Sequence, residues 1–157
     1  MENALYTIRK AELDDISVLI EFRAKMFALV WTEGGNLDEM SSFSNSYFRD
    51  KMNEQKFHAW IAETESGEPV ACSALSYYHL TPKPSNIEGR YGYISSMYTE
   101  DEHRRKGLAR RLLKATLEFA KASGLRYVKL HASEFGRPLY ESEGFKAWNE
   151  MSLDLED

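Results

Sequence analysis

The segment Arg104-Arg105-Lys106-Gly107-Leu108-Ala109 lies between a strand-like stretch ending near Thr99 and an amphipathic helix, and its chemistry is that of an anion site. The first N–H groups of a helix lack intrahelical partners, so they can converge on one anion, which the helix dipole also favours. Gly107 and Ala109 keep the turn narrow enough for a phosphate to approach. Cations at a helix start oppose the dipole by roughly 0.3–1 kcal/mol. Several of them together make physical sense with an anion in their midst. The plain alternative is a solvated basic face balanced by Glu100-Asp101-Glu102. Neither a Walker A sequence nor Gly-x-Gly-x-x-Gly is present.

Alternating strand and helix patterns surround this turn. Leu5 to Arg9 has strand composition, and Asp14-Asp15 offers an N-cap for Ile16, Leu19, Ile20, Arg23 and Phe27, which recur at helical spacing toward Trp31. Gly34-Gly35 breaks the pattern before a second helix over Asp38 to Met52. Strands are expected over Phe57 to Glu63, Val70 to Leu80 and Tyr91 to Thr99. The helix opened by the basic turn stops at Gly124, and a strand over Arg126 to Ala132, a short helix over Arg137 to Ser142 and a last strand over Phe145 to Leu153 complete the chain. The order βααβββαβαβ implies a single α/β domain over residues 1–157, with a mixed, mostly antiparallel sheet flanked by helices.

A length of 157 residues suits one domain with a full core, and a net charge of −5 disfavours a general nucleic-acid surface and fits cationic partners better. Cys72, the only cysteine, lies in the apolar run Val70 to Leu75 and reads as a buried, inert thiol; it supports neither a disulfide nor a metal site. The N-terminal residues lack a signal-peptide pattern and no apolar stretch approaches bilayer length. A cytoplasmic, membrane-independent protein is the expectation.

The element order, the turn Arg104-x-x-Gly107-x-Ala109 after a strand, and the later Pro138-Leu139-Tyr140-Glu141-x-x-Gly144-Phe145 together resemble the GCN5-related N-acetyltransferase superfamily over nearly the whole chain. The resemblance implies acyl transfer from acetyl-CoA to a primary amine of a small molecule or peptide, through a ternary complex, with no metal. It places the CoA pyrophosphate on the amides of Arg105, Lys106, Gly107, Leu108, Ala109 and Arg110, with Arg104 opening the motif and the side chains of Arg105, Lys106 and Arg110 adding charge. It lays the pantetheine arm along Met97, Tyr98 and Thr99 as an added strand, and sets Tyr140 beside the departing sulfur. Ser133 stands where many members carry an asparagine, so it reads either as one hydrogen-bond donor to the cofactor or as a turn residue before the Pro138 helix. A homodimer through an exposed sheet edge is compatible with the family.

Before an amine attacks a carbonyl it must lose a proton; for a lysine-like amine the neutral form costs about 4.6 kcal/mol at pH 7. The position where some family members place a glutamate falls near Tyr93, a poor base. His79, Glu88 and a water relayed through Ser95 remain as candidates. Tyr77, Tyr78, Tyr91, Tyr93 and Trp31 are candidates for the acceptor cleft, and Glu33, Asp38 and Glu39 for recognition of a cationic acceptor. Two other readings compete with the enzyme: a CoA-binding sensor that has lost catalysis, drawn from the missing glutamate, and a nucleic-acid module, for which the basic stretch is too short.

Overall fold

A computed structural model of the chain describes residues 5–30 and 34–156. Trp31 and Glu33 therefore lie outside the described residues. Strand β1 (Tyr6–Lys10) leads into helices α1 (Ile16–Val30) and α2 (Leu37–Asn53), followed by β2 (Phe57–Thr64), β3 (Pro69–His79) and β4 (Arg90–Thr99). Helix α3 (Leu108–Ala122), the short β5 (Val128–Lys129) and α4 (Arg137–Ser142) complete the order. The sheet runs β1-β2-β3-β4-β5, antiparallel from β1 to β4 and parallel between β4 and β5. The mixed, mostly antiparallel α/β fold expected from the sequence is the one observed.

The period of two along the central strands builds two cores. Ala59 and Ile61 of β2 and Cys72 and Ala74 of β3 face Ile16, Leu19 and Phe22 of α1 and Phe48 of α2. Trp60 and Ala62 of β2 and Ala71 and Leu75 of β3 face Leu108, Leu112, Leu113 and Ala120 of α3. Both faces are covered, which is why these strands read as continuous apolar runs rather than alternating ones. Two buried hydroxyls bridge strand and helix: Ser73 Oγ donates to Thr116 Oγ1 over 2.8 Å, while Thr116 Oγ1 donates to the Leu112 carbonyl over 2.9 Å.

Three expectations are corrected. Asp14-Asp15 does not cap α1 directly; these residues form a 3-10 turn, and Asp15 is drawn into a two-pronged pair with Arg9, each N···O distance being 2.8 Å. The strand expected over Arg126 to Ala132 shrinks to Val128–Lys129, paired only with Gly92 and Tyr93. The last strand expected over Phe145 to Leu153 is not formed: that segment pairs with no described strand, the adjacent β5 being two residues long, and Trp148 and Met151 are 83 % and 91 % exposed. Among the described residues no helix is long and apolar enough to cross a membrane.

His58, buried on β2, is packed between the rings of Tyr77 and Phe119 and donates from Nε2 to the Gln55 carbonyl over 3.1 Å. Burial, with Lys10 nearby, pushes its pKa below the usual imidazole value. The unfolded chain then binds this proton more readily than the folded one, so stability rises with pH through the region just below 6.5. The thermal midpoint is expected to fall between pH 7 and pH 5, and His58→Gln to flatten that fall; an unchanged slope in the variant would exclude His58 as its source.

Candidate active site

The site is opened by a bulge in β4. Cys72 of β3 pairs with Tyr98 and Ala74 with Ser95, so Ser96 and Met97 share the single partner Ser73. Ser96 takes φ 56°, a left-handed conformation rare outside glycine, and is held there from two directions. Arg23 Nη1 donates to its Oγ over 2.9 Å, and the Cys72 thiol donates to its carbonyl over 3.1 Å. Complete burial, against smaller opposing effects of the Tyr98 backbone and Arg23, pushes the Cys72 thiol up to about 12, which leaves it an inert thiol.

Because β5 pairs only with Gly92 and Tyr93, the β4 edge from Ile94 to Thr99 has no strand beside it. Glu100 donates its N–H to the Val70 carbonyl at 2.8 Å, and by ladder alternation the main-chain groups of Thr99 and Met97 turn toward the open side. An extended ligand can pair there as an added strand. The Tyr98 side chain points the other way, into the α1 core against Phe22, with its hydroxyl on Glu100.

The basic turn lies at the end of this open edge. Among the described residues, no protein acceptor takes the amide N–H groups from Arg105 through Arg110, whereas those of Arg104 and Arg111 are paired with Asp101 and Gly107. Gly107 at φ 77° starts α3 and Arg105 sits at φ 62°. Such left-handed residues fold successive amides around one concavity, the arrangement that binds anions. The side chains divide the labour differently from the expectation. Arg104 Nε donates to the Thr99 carbonyl over 3.0 Å and its guanidinium pairs with Asp101. Lys106 Nζ donates to the Tyr6 hydroxyl over 3.3 Å, and Arg110 ties α3 to Glu143 and Ser142. Arg105 alone of the four has no partner among the described residues.

Tyr140, on α4, is 9 % exposed and lines a cleft of about 1380 Å³ whose other walls are α2, β3, β4 and the chain after β5. Its hydroxyl has no hydrogen-bond partner among the described residues, and burial raises its pKa, so the phenol keeps its proton. A Cβ built on Gly136 would meet Tyr140 Cε2 at 3.0 Å, so that glycine permits the close approach of turn and ring. Ser133 Oγ accepts from the Gly136 N–H over 3.1 Å; it shapes the turn into α4, and it does not line the cleft.

Of the acceptor-side expectations, Tyr77, Tyr78, Tyr91, Tyr93 and Ser95 line the cleft, together with Met40, Phe43 and Tyr47 of α2. Asp38 and Glu39 are exposed in the first turn of α2 and outside it. His79 is exposed at the end of β3 and Glu88 lines a separate depression, so neither faces the cleft. His131 does: its Nδ1 is hydrogen-bonded to the Tyr93 hydroxyl across the gap where β5 leaves β4. Sequence reasoning missed His131 because it follows a strand whose length was overestimated. Its one available signal was its place one strand beyond Tyr93.

Residues 10–145 match the Acetyltransferase (GNAT) family. The chain belongs to that family. Among GNAT proteins of known structure, a predicted acetyltransferase from Clostridium acetobutylicum, solved with acetyl-CoA, is 32 % identical with a TM-score of 0.88, covering 96 % of this chain and 97 % of its own. A GCN5-related N-acetyltransferase from Ralstonia eutropha JMP134 is 26 % identical with a TM-score of 0.87, covering 96 % and 98 %. Human N-acetyltransferase 8 is 28 % identical over 122 residues, which are 74 % of this chain and 50 % of that protein. The chain thus spans about half the length of that curated relative, and 64 % of the Bacillus subtilis N-acetyltransferase YuaI.

Left-handed backbone at a residue with a Cβ costs about 1–2 kcal/mol. Arg105→Gly relieves that cost and removes the guanidinium of the turn that has no partner among the described residues. The variant is expected to melt no lower than the wild type while binding acetyl-CoA about tenfold more weakly, the loss expected for a charge-assisted phosphate contact. Calorimetric titration beside a thermal melt checks both, and unaltered affinity would exclude Arg105 from the anion site.

Proposed function

We propose that this protein is an acetyl-CoA-dependent N-acetyltransferase that passes the acetyl group directly to a primary amine of a small molecule or peptide within a ternary complex, as one domain over residues 1–157. The observation that carries this reading is the continuity of two features: the amides from Arg105 to Arg110, free among the described residues, and the β4 edge at Met97 and Thr99, which no described strand covers and where only the Thr99 carbonyl is engaged, by Arg104, adjoin each other. A pyrophosphate on the first and a pantetheine arm on the second bring a thioester to the bulge at Ser96, beside the cleft. The acetyl-CoA-bound relative from Clostridium acetobutylicum supports the same assignment of donor.

In this reading the amine nitrogen attacks the thioester carbonyl, the C–S bond breaks and CoA leaves as a thiolate. Tyr140, kept protonated by burial, donates a hydrogen bond to the developing charge on sulfur, which then takes up the proton still carried by the new C–N bond. The proton that the ammonium must shed before attack goes to His131. With Nδ1–H donating to the Tyr93 oxygen, Nε2 carries the lone pair that accepts it. Tyr93 thereby fixes the tautomer of a neighbouring base in place of acting as one.

Tyr140→Phe is expected to lower kcat about 100-fold, with acetyl-CoA affinity held within about twofold; thiol release and calorimetry measure the two, and undiminished kcat would refute the role. His131→Ala is expected to erase the acidic limb of the kcat/KM pH profile. A retained limb would move the base to a group reached through Ser95. Thermal stabilisation by acetyl-CoA without thiol release on any primary amine would overturn the enzymatic reading in favour of a CoA sensor.

A further inference from the structure

We infer that the acceptor amine carries a carboxylate, that Arg23 is the residue that holds it, and that the substrate class is therefore α-amino acids rather than simple amines. This inference rests on the acetyltransferase reading above. Arg23 projects from α1 into the cleft and reaches the bulge, where its only hydrogen-bond partner among the described residues is the neutral Ser96 hydroxyl. No described carboxylate lies within ion-pair distance of it. The groups that face it electrostatically are Cys72, Tyr47 and Tyr93, none of them a carboxylate, with the Phe27 ring 5.0 Å away. Three guanidiniums are held by carboxylates, Arg9 by Asp15 and Glu63, Arg104 by Asp101 and Arg110 by Glu143, whereas Arg90 and Arg111 rest on the backbone carbonyls of Ser123 and Tyr6; of these last and Arg23, Arg23 is the one that lines the cleft.

A largely buried guanidinium cannot shed its charge, since arginine stays protonated in proteins. Among the described residues its desolvation is offset by one neutral hydroxyl and one ring, and an anion would offset it further. The cleft has no anion of its own to offer, because its two carboxylates are engaged: Glu150 with Lys129 at 3.3 Å and Glu141 with Arg137 at 3.6 Å. A carboxylate matches the flat, two-pronged donor geometry of the guanidinium. Only one carbon separates carboxylate from amine in an α-amino acid. With the carboxylate on Arg23, the amine lies next to the bulge at Ser96 where the thioester is expected. The side chain of the amino acid is left facing Met40, Phe43 and Tyr47 of α2, an apolar wall that favours large hydrophobic residues.

The test measures kcat/KM on matched pairs: phenylalanine with phenethylamine, tryptophan with tryptamine, leucine with isoamylamine. The wild type is expected to prefer each amino acid over its decarboxylated partner by about 10- to 100-fold, the range of a hydrogen-bonded charge pair. In Arg23→Gln that ratio falls toward one, mainly through KM for the amino acid, and Arg23→Lys restores part of it. Equal activity on both members in the wild type, or a ratio that survives Arg23→Gln because both members lose activity alike, overturns the inference and leaves Arg23 a brace for the bulge. Binding is read in parallel as the thermal shift of the CoA-loaded protein with each compound. No shift on amino acids, while acetyl-CoA still stabilises, overturns this inference alone; no stabilisation by acetyl-CoA overturns the proposed function and this inference with it.

Discussion

Two residues of β4, Ser96 and Met97, stand against one residue of β3, and the rest of the site depends on that mismatch. A bulge bends its strand and interrupts the ladder locally. On one side the ladder to β3 resumes with Tyr98; on the other, β5 departs after Lys129 and leaves main-chain groups of β4 open. A regular strand would have buried those groups under a fully paired β5 and closed the cleft. Holding Ser96 at positive φ costs free energy, and the contacts that offset it come from Arg23 on α1 and Cys72 on β3, so both neighbouring elements are committed to the shape of the opening.

The second constraint is electrostatic and local. A chain with a net charge of −5 nonetheless presents amide donors to an anion at one end of β4 and a charged guanidinium without a described counter-ion at its bulge. Net charge speaks to solubility and long-range attraction, whereas a partly buried group responds to what lies within a few ångströms. The overall charge thus bears on long-range attraction of cationic partners, whereas the cleft itself presents Arg23. In the basic turn the same logic separates side chains by reach: Arg104, Lys106 and Arg110 hold the surrounding elements together, and the backbone presents the donors.

Much of the fold was legible because its signals are local. The turn at Gly107 marks the start of α3, Pro138 marks the start of α4, and the apolar runs of β2 and β3 follow from burial on both faces. The capping of α1 was misread because Asp15 answers to Arg9, a partner on the preceding strand. The last strand was misread because an alternating segment becomes a strand only against a neighbour, and β5 is two residues long. Ser133 was open between cofactor contact and turn, and its hydrogen bond from Gly136 makes it part of the turn.

The amino-acid sequence by itself determined three local features: the strand ending at Thr99, the basic turn that follows it and the tyrosine on the short late helix are each contiguous stretches, and contiguous residues stay together in any fold. Only the tertiary structure decided the cleft. Arg23 meets Ser96 across 73 positions and Tyr93 meets His131 across 38, and such pairs have no period, spacing or motif to announce them. They exist because a bulge in one strand parts it from the next and lets a helix reach the gap.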